Sequence, residues 1–125
     1  MKKYILIGTT LLLFSCQPKS GITFCEGISP DGKEVNCGSV FSEGDITILI
    51  KSENSFATDK ININIFEKIK PVKKMLESFT VNVKSDTKTT NTNLSLYNEG
   101  IYEIEVTGKD NTIIANGTIQ IVESY

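Results

Sequence analysis

The residues with the most distinctive chemistry in this chain are three cysteines: Cys16, Cys25 and Cys37. A cysteine thiol can form a disulfide, bind a soft metal ion or carry a covalent group. The chain has no histidine, so it lacks the most common general base and the usual partner of a serine or cysteine nucleophile. The cysteines therefore dominate the chemistry that remains open to it.

Carboxylates are the other candidates for chemistry, and their placement favours exposed surface over catalysis. Glu103 and Glu105 alternate with apolar residues, which puts both carboxylates on the solvent face of one predicted strand. Asp31 stands in the turn signal Pro30-Asp31-Gly32, where a turn role is favoured over weak calcium binding. The sequence contains no glycine-rich phosphate loop after a strand and no calcium loop with ordered acidic ligands. We expect no catalytic residue, no cofactor and no enzyme activity.

The first of the cysteines closes a short apolar segment at the N-terminus. Lys2 and Lys3 are followed by a mostly apolar stretch over residues 4–14, a pattern typical of an export signal. The stretch is about half as long as the roughly 20 apolar residues that a transmembrane helix needs. An ordinary signal peptide that happens to end near a cysteine is the alternative interpretation.

The run Leu13-Phe14-Ser15-Cys16 resembles the lipobox of bacterial lipoproteins. This resemblance implies a signal peptide over residues 1–15 and attachment of acyl chains such as palmitate at Cys16, with residues 16–21 acting as a tether to the membrane. Gln17 is similar to the non-aspartate position associated with outer-membrane sorting in some bacteria. The expected location is the cell envelope, with the anchor in the outer membrane.

Lipidation of Cys16 would leave Cys25 and Cys37 as an even pair in an oxidising compartment, which favours a disulfide between them. Residues 30–32 form a turn signal between the two cysteines, so the flanking segments can fold back and bring the thiols together. The competing interpretation is a zinc site. With two thiols and no histidine, the chain lacks the ligands for a closed one.

Apolar residues recur with period two along most of the chain, which predicts short, half-buried β-strands. The clearest alternations are at Ile46/Ile48/Ile50, Ile61/Ile63/Ile65, Val81/Val83, Leu94/Leu96, Tyr102/Ile104/Val106 and Ile119/Ile121. About seven such strands, separated by turn clusters, predict one all-β domain, an antiparallel β-sandwich over residues 22–125. Asn116-Gly117 predicts a bulge or a second turn in the last strand.

The segment from Leu96 to Val106 resembles the tyrosine corner of immunoglobulin-like domains, with Gly100 two residues before Tyr102. The resemblance implies an immunoglobulin-like sandwich in which the hydroxyl of Tyr102 binds upstream backbone. Ile104 stands where antibody domains have a cysteine, and the chain has no tryptophan. The expected centre is therefore aliphatic. The alternative is any β-hairpin that contains a tyrosine.

Residues 67–78 depart from the period-two pattern. Pro71 followed by apolar residues at positions 72, 75 and 76 allows a short helix, and an irregular crossover between sheets is equally compatible. Four lysines form the basic cluster of this segment: Lys68, Lys70, Lys73 and Lys74. A solvated connector is the ordinary interpretation of such a run. The sharper interpretation is a docking patch for an anionic surface, such as lipid headgroups or an acidic polysaccharide.

Charge and export together limit the function. Removing Lys2 and Lys3 from the 13 basic residues leaves 11 against 15 acidic ones, a net charge of −4, and this disfavours nucleic acid as a partner. We expect a membrane-anchored, non-catalytic binding module for a protein or a glycan. The alternatives are a structural or accessory subunit of an envelope assembly and a small inhibitor of an enzyme.

Overall fold

The computed structural model describes residues 20–123, almost all of which lie in strands or tight connections. Nine strands follow one another: β1 (Gly21–Ile28), β2 (Glu34–Gly38), β3 (Val40–Ser42), β4 (Gly44–Lys51), β5 (Lys60–Ile69), β6 (Val72–Asn82), β7 (Thr89–Leu96), β8 (Gly100–Thr107) and β9 (Ile113–Val122). A single 3-10 turn, Lys109–Asn111, joins β8 to β9.

The strands form two sheets packed face to face. One has four strands in the order β2-β1-β4-β7, and the other has five in the order β3-β9-β8-β5-β6. Neighbours are antiparallel, except that β3 runs parallel to β9. With β1, β4 and β7 in one sheet and β5, β8 and β9 in the other, the order is that of an immunoglobulin-like sandwich. The predicted fold class is confirmed, with nine strands instead of about seven because β2 and β3 are short additions.

The space between the sheets is filled mainly by isoleucine, as the alternation predicted. Isoleucines 46, 48, 61, 63, 104, 119 and 121 are each at most 2% exposed. Phe24, Phe41 and Phe56 close the margins of this core, and Tyr102 is the tyrosine packed into it. All of these core residues lie between positions 24 and 121, and the register of both sheets is complete within the described residues. Segment 20–123 is therefore expected to fold by itself.

Residues 67–78 are neither a helix nor a crossover, so both predictions for this segment are wrong. They form the end of β5, a turn at Lys70-Pro71, and the first part of β6. The pairing Ile65↔Glu77 is followed by Phe66↔Met75, which leaves Leu76 as an extra residue on β6. Such a β-bulge breaks the alternation of side chains. The helix-like spacing of residues 72, 75 and 76 arises because Val72 and Met75 lie on opposite faces of β6 and Leu76 is the extra residue of the bulge.

The last strand is uninterrupted, and the bulge predicted at Asn116-Gly117 is also wrong. The register shift lies opposite Val106 and Thr107, where Ile114 is the extra residue on β9. Gly117 pairs normally with Ile104. A Cβ at Gly117 would lie 3.0 Å from the ring of Phe24 in the facing sheet. Glycine at this position therefore allows close packing of the two sheets.

Tyr102 makes the contact of a tyrosine corner. Its side chain is 2% exposed, and its hydroxyl donates a hydrogen bond of 2.7 Å to the backbone oxygen of Asn98. Gly100 has a φ of 157°, a conformation that L side chains rarely adopt. The ring packs in the core while the hydroxyl fixes the connection between β7 and β8.

We predict that Ile104→Ala destabilises the sandwich by about 2–5 kcal/mol, because the substitution leaves a cavity in a site with 0% exposure. Ile113→Ala is the matched control, since Ile113 is 54% exposed and should change the free energy of unfolding by less than about 0.5 kcal/mol. Urea unfolding followed by circular dichroism measures both. Equal effects of the two substitutions would contradict the assigned core.

We predict that Tyr102→Phe lowers the free energy of unfolding by about 1 kcal/mol, because it removes a part-buried hydrogen bond. Tyr97→Phe is the control. Tyr97 is 63% exposed, and its hydroxyl bonds to Asp45 at the surface. Urea midpoints near neutral pH distinguish the two variants.

Tyr102→Phe and Tyr97→Phe also test how the free energy of unfolding depends on pH. Burial, and to a lesser extent the nearby Glu67 carboxylate, raises the pKa of Tyr102 above its ordinary value of 10.0. The unfolded chain then loses this proton first, so stability that is present below about pH 10 is lost as pH rises through the folded pKa. Tyr102→Phe should reduce this alkaline loss and Tyr97→Phe should not. An unchanged alkaline profile for Tyr102→Phe would contradict the assignment.

Candidate binding surface

The β5–β6 hairpin extends beyond the packed part of the sandwich. Ile65 is the last core residue of β5, and pairing between β5 and β8 ends at Glu67↔Tyr102. From Lys68 onward, β5 pairs with β6 alone. The end of the hairpin is therefore a two-stranded projection with no second sheet beneath it.

The projection, residues 68–73, and the next three residues of β6, residues 74–76, are together called the basic tip below. Four of the ten exposed large apolar side chains of segment 20–123 lie in it: Ile69 at 55%, Val72 at 60%, Met75 at 51% and Leu76 at 46%. The four lysines of the predicted docking patch lie in it too, each of them exposed. The fold therefore brings Lys68, Lys70, Lys73 and Lys74 together, as a docking patch requires.

The two faces of the basic tip both carry charge and apolar surface, but in different arrangements. Lys68 lies opposite Lys73, and on the next rung Ile69 lies opposite Val72. Directly opposed residues share a face and successive residues alternate. One face therefore presents a pair of lysines and the other a pair of aliphatic side chains. Lys74 and the Glu67 carboxylate lie opposite one another on the aliphatic face, so their charges offset each other there.

Lys73 differs from the other three lysines. Its Nζ lies 3.6 Å from Oε1 of Glu103 and 4.5 Å from the centroid of the Phe66 ring. Both contacts are on the outer face of the five-stranded sheet, where they hold the lysine over β5 and β8. Part of its charge is neutralised there, and Lys74 lies opposite the Glu67 carboxylate, so Lys68 and Lys70 carry most of the attraction for an anion.

The two remaining cysteines are joined, as predicted. Cys25 and Cys37 lie directly opposite one another on β1 and β2 and form a disulfide. Gly32, with a φ of 86°, closes the turn between the strands, in which its N–H donates to the oxygen of Ser29 at 2.8 Å. In the chain-entropy model, a loop of this length contributes about 3 kcal/mol.

The surroundings of the disulfide do not form a metal site in this state. The sulfurs of Cys25 and Cys37 and a carboxylate oxygen of Glu34 lie within 4.8 Å of one another, but both sulfurs are bonded to each other and no thiolate is present. In the adjoining turn, a hydrogen bond from the Ser29 hydroxyl lowers the pKa of Asp31. This bond gives Asp31 a structural role in the turn.

A cleft of about 440 Å³ lies at the opposite end of the sandwich from the basic tip. Its walls are Ser20, the connection after β4 over residues 52–56, and the turn between β8 and β9. Strand β5 begins at this end with Lys60 and runs for ten residues toward the tip. The cleft and the tip are therefore about 30 Å apart. The start of the described chain and the basic tip are therefore at opposite ends.

Cys16 and the signal segment over residues 1–15 lie outside the described residues, so lipidation and the tether remain predictions. Within segment 20–123, no helix has the length and apolar character to cross a membrane.

Comparison with known proteins yields distant structural likeness alone. No protein-family model and no curated protein matches the sequence. A family 76 glycoside hydrolase from a bovine Bacteroides thetaiotaomicron strain is similar over 67% of this chain and 19% of its own length, with 17% identity and a TM-score of 0.42. A superoxide reductase (neelaredoxin) from Ignicoccus hospitalis is similar over 82% of this chain and 83% of its own, with 11% identity and a TM-score of 0.41. This chain thus spans about a fifth of the hydrolase, and at these scores neither protein identifies a family or an activity for it.

Proposed function

We propose that this chain is a non-catalytic binding module that is anchored in the bacterial cell envelope through lipidated Cys16 and holds an anionic partner with its basic tip. The sequence favours a protein or a glycan as that partner and the outer membrane as the site of the anchor. The proposal includes no chemical step, because the chain has no histidine and Cys25 and Cys37 are consumed in a disulfide.

The observation that carries the proposal is the composition of the basic tip. Large apolar side chains that remain exposed lie beside four lysines in the basic tip. Contiguous exposed apolar surface with a polar surround marks an interaction site on proteins and is otherwise disfavoured in water. The lysines give that site a preference for negative charge.

The position of the tip fits an anchored module. The lipidated residue would lie close to Ser20, and four residues of extended chain reach at most about 15 Å. Ser20 lines the cleft at the end remote from the tip. The sandwich therefore holds the tip about 30 Å from the anchored end, measured along β5.

A second candidate function is that of an accessory subunit that docks through a strand edge. Strand β6 is the last strand of its sheet and has 11 residues, which leaves backbone groups for pairing with another chain. The bulge at Leu76 and the lysines at positions 73 and 74 hinder pairing along its first half. Docking of this kind would therefore use residues 78–82, away from the tip.

The anchor is tested by Cys16→Ala. We predict that the native chain isolated from cells begins at an acylated Cys16 and that the variant carries no acyl group, because the thiol is the attachment point. Mass spectrometry of the N-terminal peptide measures this. The double variant Cys25→Ser/Cys37→Ser is the control and should stay acylated. An unmodified Cys16 in the native chain would refute the anchor.

The binding surface is tested by photo-crosslinking in cells. A photoreactive amino acid placed at Val72 should form adducts, whereas one at Val40 should form few. The two positions are similarly exposed, at 60% and 56%, but Val40 lies on β3, at the opposite edge of the five-stranded sheet from β6. Mass spectrometry then identifies the adduct as protein, glycan or lipid. Equal yields at the two positions would remove the tip as the binding surface. Adducts from a photoreactive amino acid at the exposed Thr80, with none from Val72, would favour the second candidate.

A further inference from the structure

We propose that the anionic partner of the basic tip is a phospholipid bilayer, into whose headgroup region the tip inserts. This inference rests on the proposed function in one respect, that the tip is the binding surface. It names a different class of partner from the protein or glycan that the sequence favours, and the reason lies in the geometry of the hairpin.

The first argument is that apolar surface lies on both faces of the tip. Ile69 and Val72 share one face, and Met75, opposite Phe66, lies on the other. A partner with a flat surface can cover one face of a two-stranded hairpin and leaves the other in water. The interfacial region of a bilayer is fluid and surrounds an inserted hairpin on both faces, so it covers all of these side chains at once.

The second argument is the order in which apolar and basic side chains follow one another along the projection. Ile69 and Val72 are directly opposed next to the turn, and this pair is called the aliphatic rung. The opposed lysines Lys68 and Lys73 lie one residue pair closer to the sandwich. In an inserted hairpin, the aliphatic rung would reach past the headgroups while the lysines behind it meet the phosphates. Lys70 lies in the turn itself, ahead of the aliphatic side chains, and its flexible stem lets the ammonium group fold back to the level of the phosphates.

The other anionic partners use only part of this surface. An acidic polysaccharide would pair with the lysines and leave four aliphatic side chains in water. An acidic protein would need a cleft that encloses the tip from two sides, because the tip is convex and offers no groove. The bilayer uses both the charge and the apolar surface.

The bilayer that fits best is the one holding the anchor. A tether of a few residues keeps the sandwich next to that bilayer at high effective concentration. With the anchor at one end and the tip about 30 Å away, the two contacts would lay the long axis of the sandwich along the membrane. One sheet face would then remain directed away from the lipid.

The experiment uses segment 20–123, which contains the whole core and the disulfide, so that no acyl chain contributes to binding. Its probe is vesicles of phosphatidylglycerol and phosphatidylcholine in equal parts, compared with pure phosphatidylcholine in co-sedimentation. We expect binding to the anionic vesicles that weakens with salt. Lys68→Glu/Lys70→Glu should lower the partition coefficient at least about 25-fold, since each lysine near an anionic surface contributes about fivefold. Lys84→Glu/Lys88→Glu, with the same change in net charge at exposed sites elsewhere, should lower it less than about threefold.

Insertion is separated from simple charge attraction by two further measurements. The double variant Ile69→Ser/Val72→Ser should bind at least about tenfold more weakly while keeping its salt dependence. The chain has no tryptophan, so Val72→Trp introduces a single reporter whose emission should shift to the blue on anionic vesicles. Ile113→Trp, at the other end of the sandwich, should show no shift.

Absence of binding to anionic vesicles, or equal loss from the two lysine double variants, would overturn the bilayer proposal. Binding to polyglutamate or polygalacturonate but not to vesicles would also overturn it and would leave the proposed function standing, with an acidic protein or a polysaccharide as the partner. A lack of crosslinking at Val72 in cells would count against the proposed function itself. The two proposals therefore fail in different experiments.

Discussion

The fold depends on the aliphatic layer between the two sheets. Every long strand directs alternate side chains into this layer. Because side chains alternate along a strand, a shift of one residue in any ladder would expose a whole row of isoleucines and bury a row of polar side chains. The rows at 61/63/65 on β5 and 104/106 on β8 are paired across the centre of the five-stranded sheet. These side chains are 0–3% exposed. Because they must stay buried, they fix the register in which the strands on both sides pair.

Two interactions outside that layer secure parts of the chain that it does not hold. The Tyr102 hydroxyl binds the connection before β8, a segment whose residues 97–99 are all exposed. The disulfide holds β2, every residue of which is exposed, against β1. Neither element buries enough apolar surface to fix its own position, so each relies on a specific bond. A hydrogen bond contributes about 1 kcal/mol and the disulfide about 3 kcal/mol, so the covalent bond serves the element with less packing.

The sequence predicts those parts of the molecule in which a local rule and the tertiary environment agree. Isoleucine alternation located the core strands, and the turn at Pro30-Asp31-Gly32 predicted that Cys25 and Cys37 would meet. The spacing from Gly100 to Tyr102 predicted the corner. The short strand β3 was missed because three residues carry no periodicity, and its parallel pairing with β9 depends on a contact about 80 residues away in sequence.

The β5–β6 hairpin was missed for a different reason. Val72 and Met75 lie on opposite faces of β6 and Leu76 is the extra residue of a bulge, so the apolar residues of this strand have the spacing of a helix. The bulge is fixed by pairing with β5, a tertiary fact that β6 alone does not encode. The lysines of the candidate site could be found from composition. Ile69 and its place opposite Val72 could be found only once the two strands were paired.

The apolar residues of the basic tip are not explained by folding. A side chain in the sandwich gains stability by leaving water, but Val72 remains 60% exposed and Ile69 55% exposed, so each gains less than half of what burial offers. A hairpin needs good strand formers, and threonine would serve in both places without adding apolar surface. Lysines at an edge can protect a fold against aggregation, because an edge strand has unpaired backbone groups whatever its side chains are. Protection therefore accounts for the lysines but not for the aliphatic side chains beside them. A binding role accounts for both, because the aliphatic side chains then leave water on contact with the partner while the lysines select a negatively charged one.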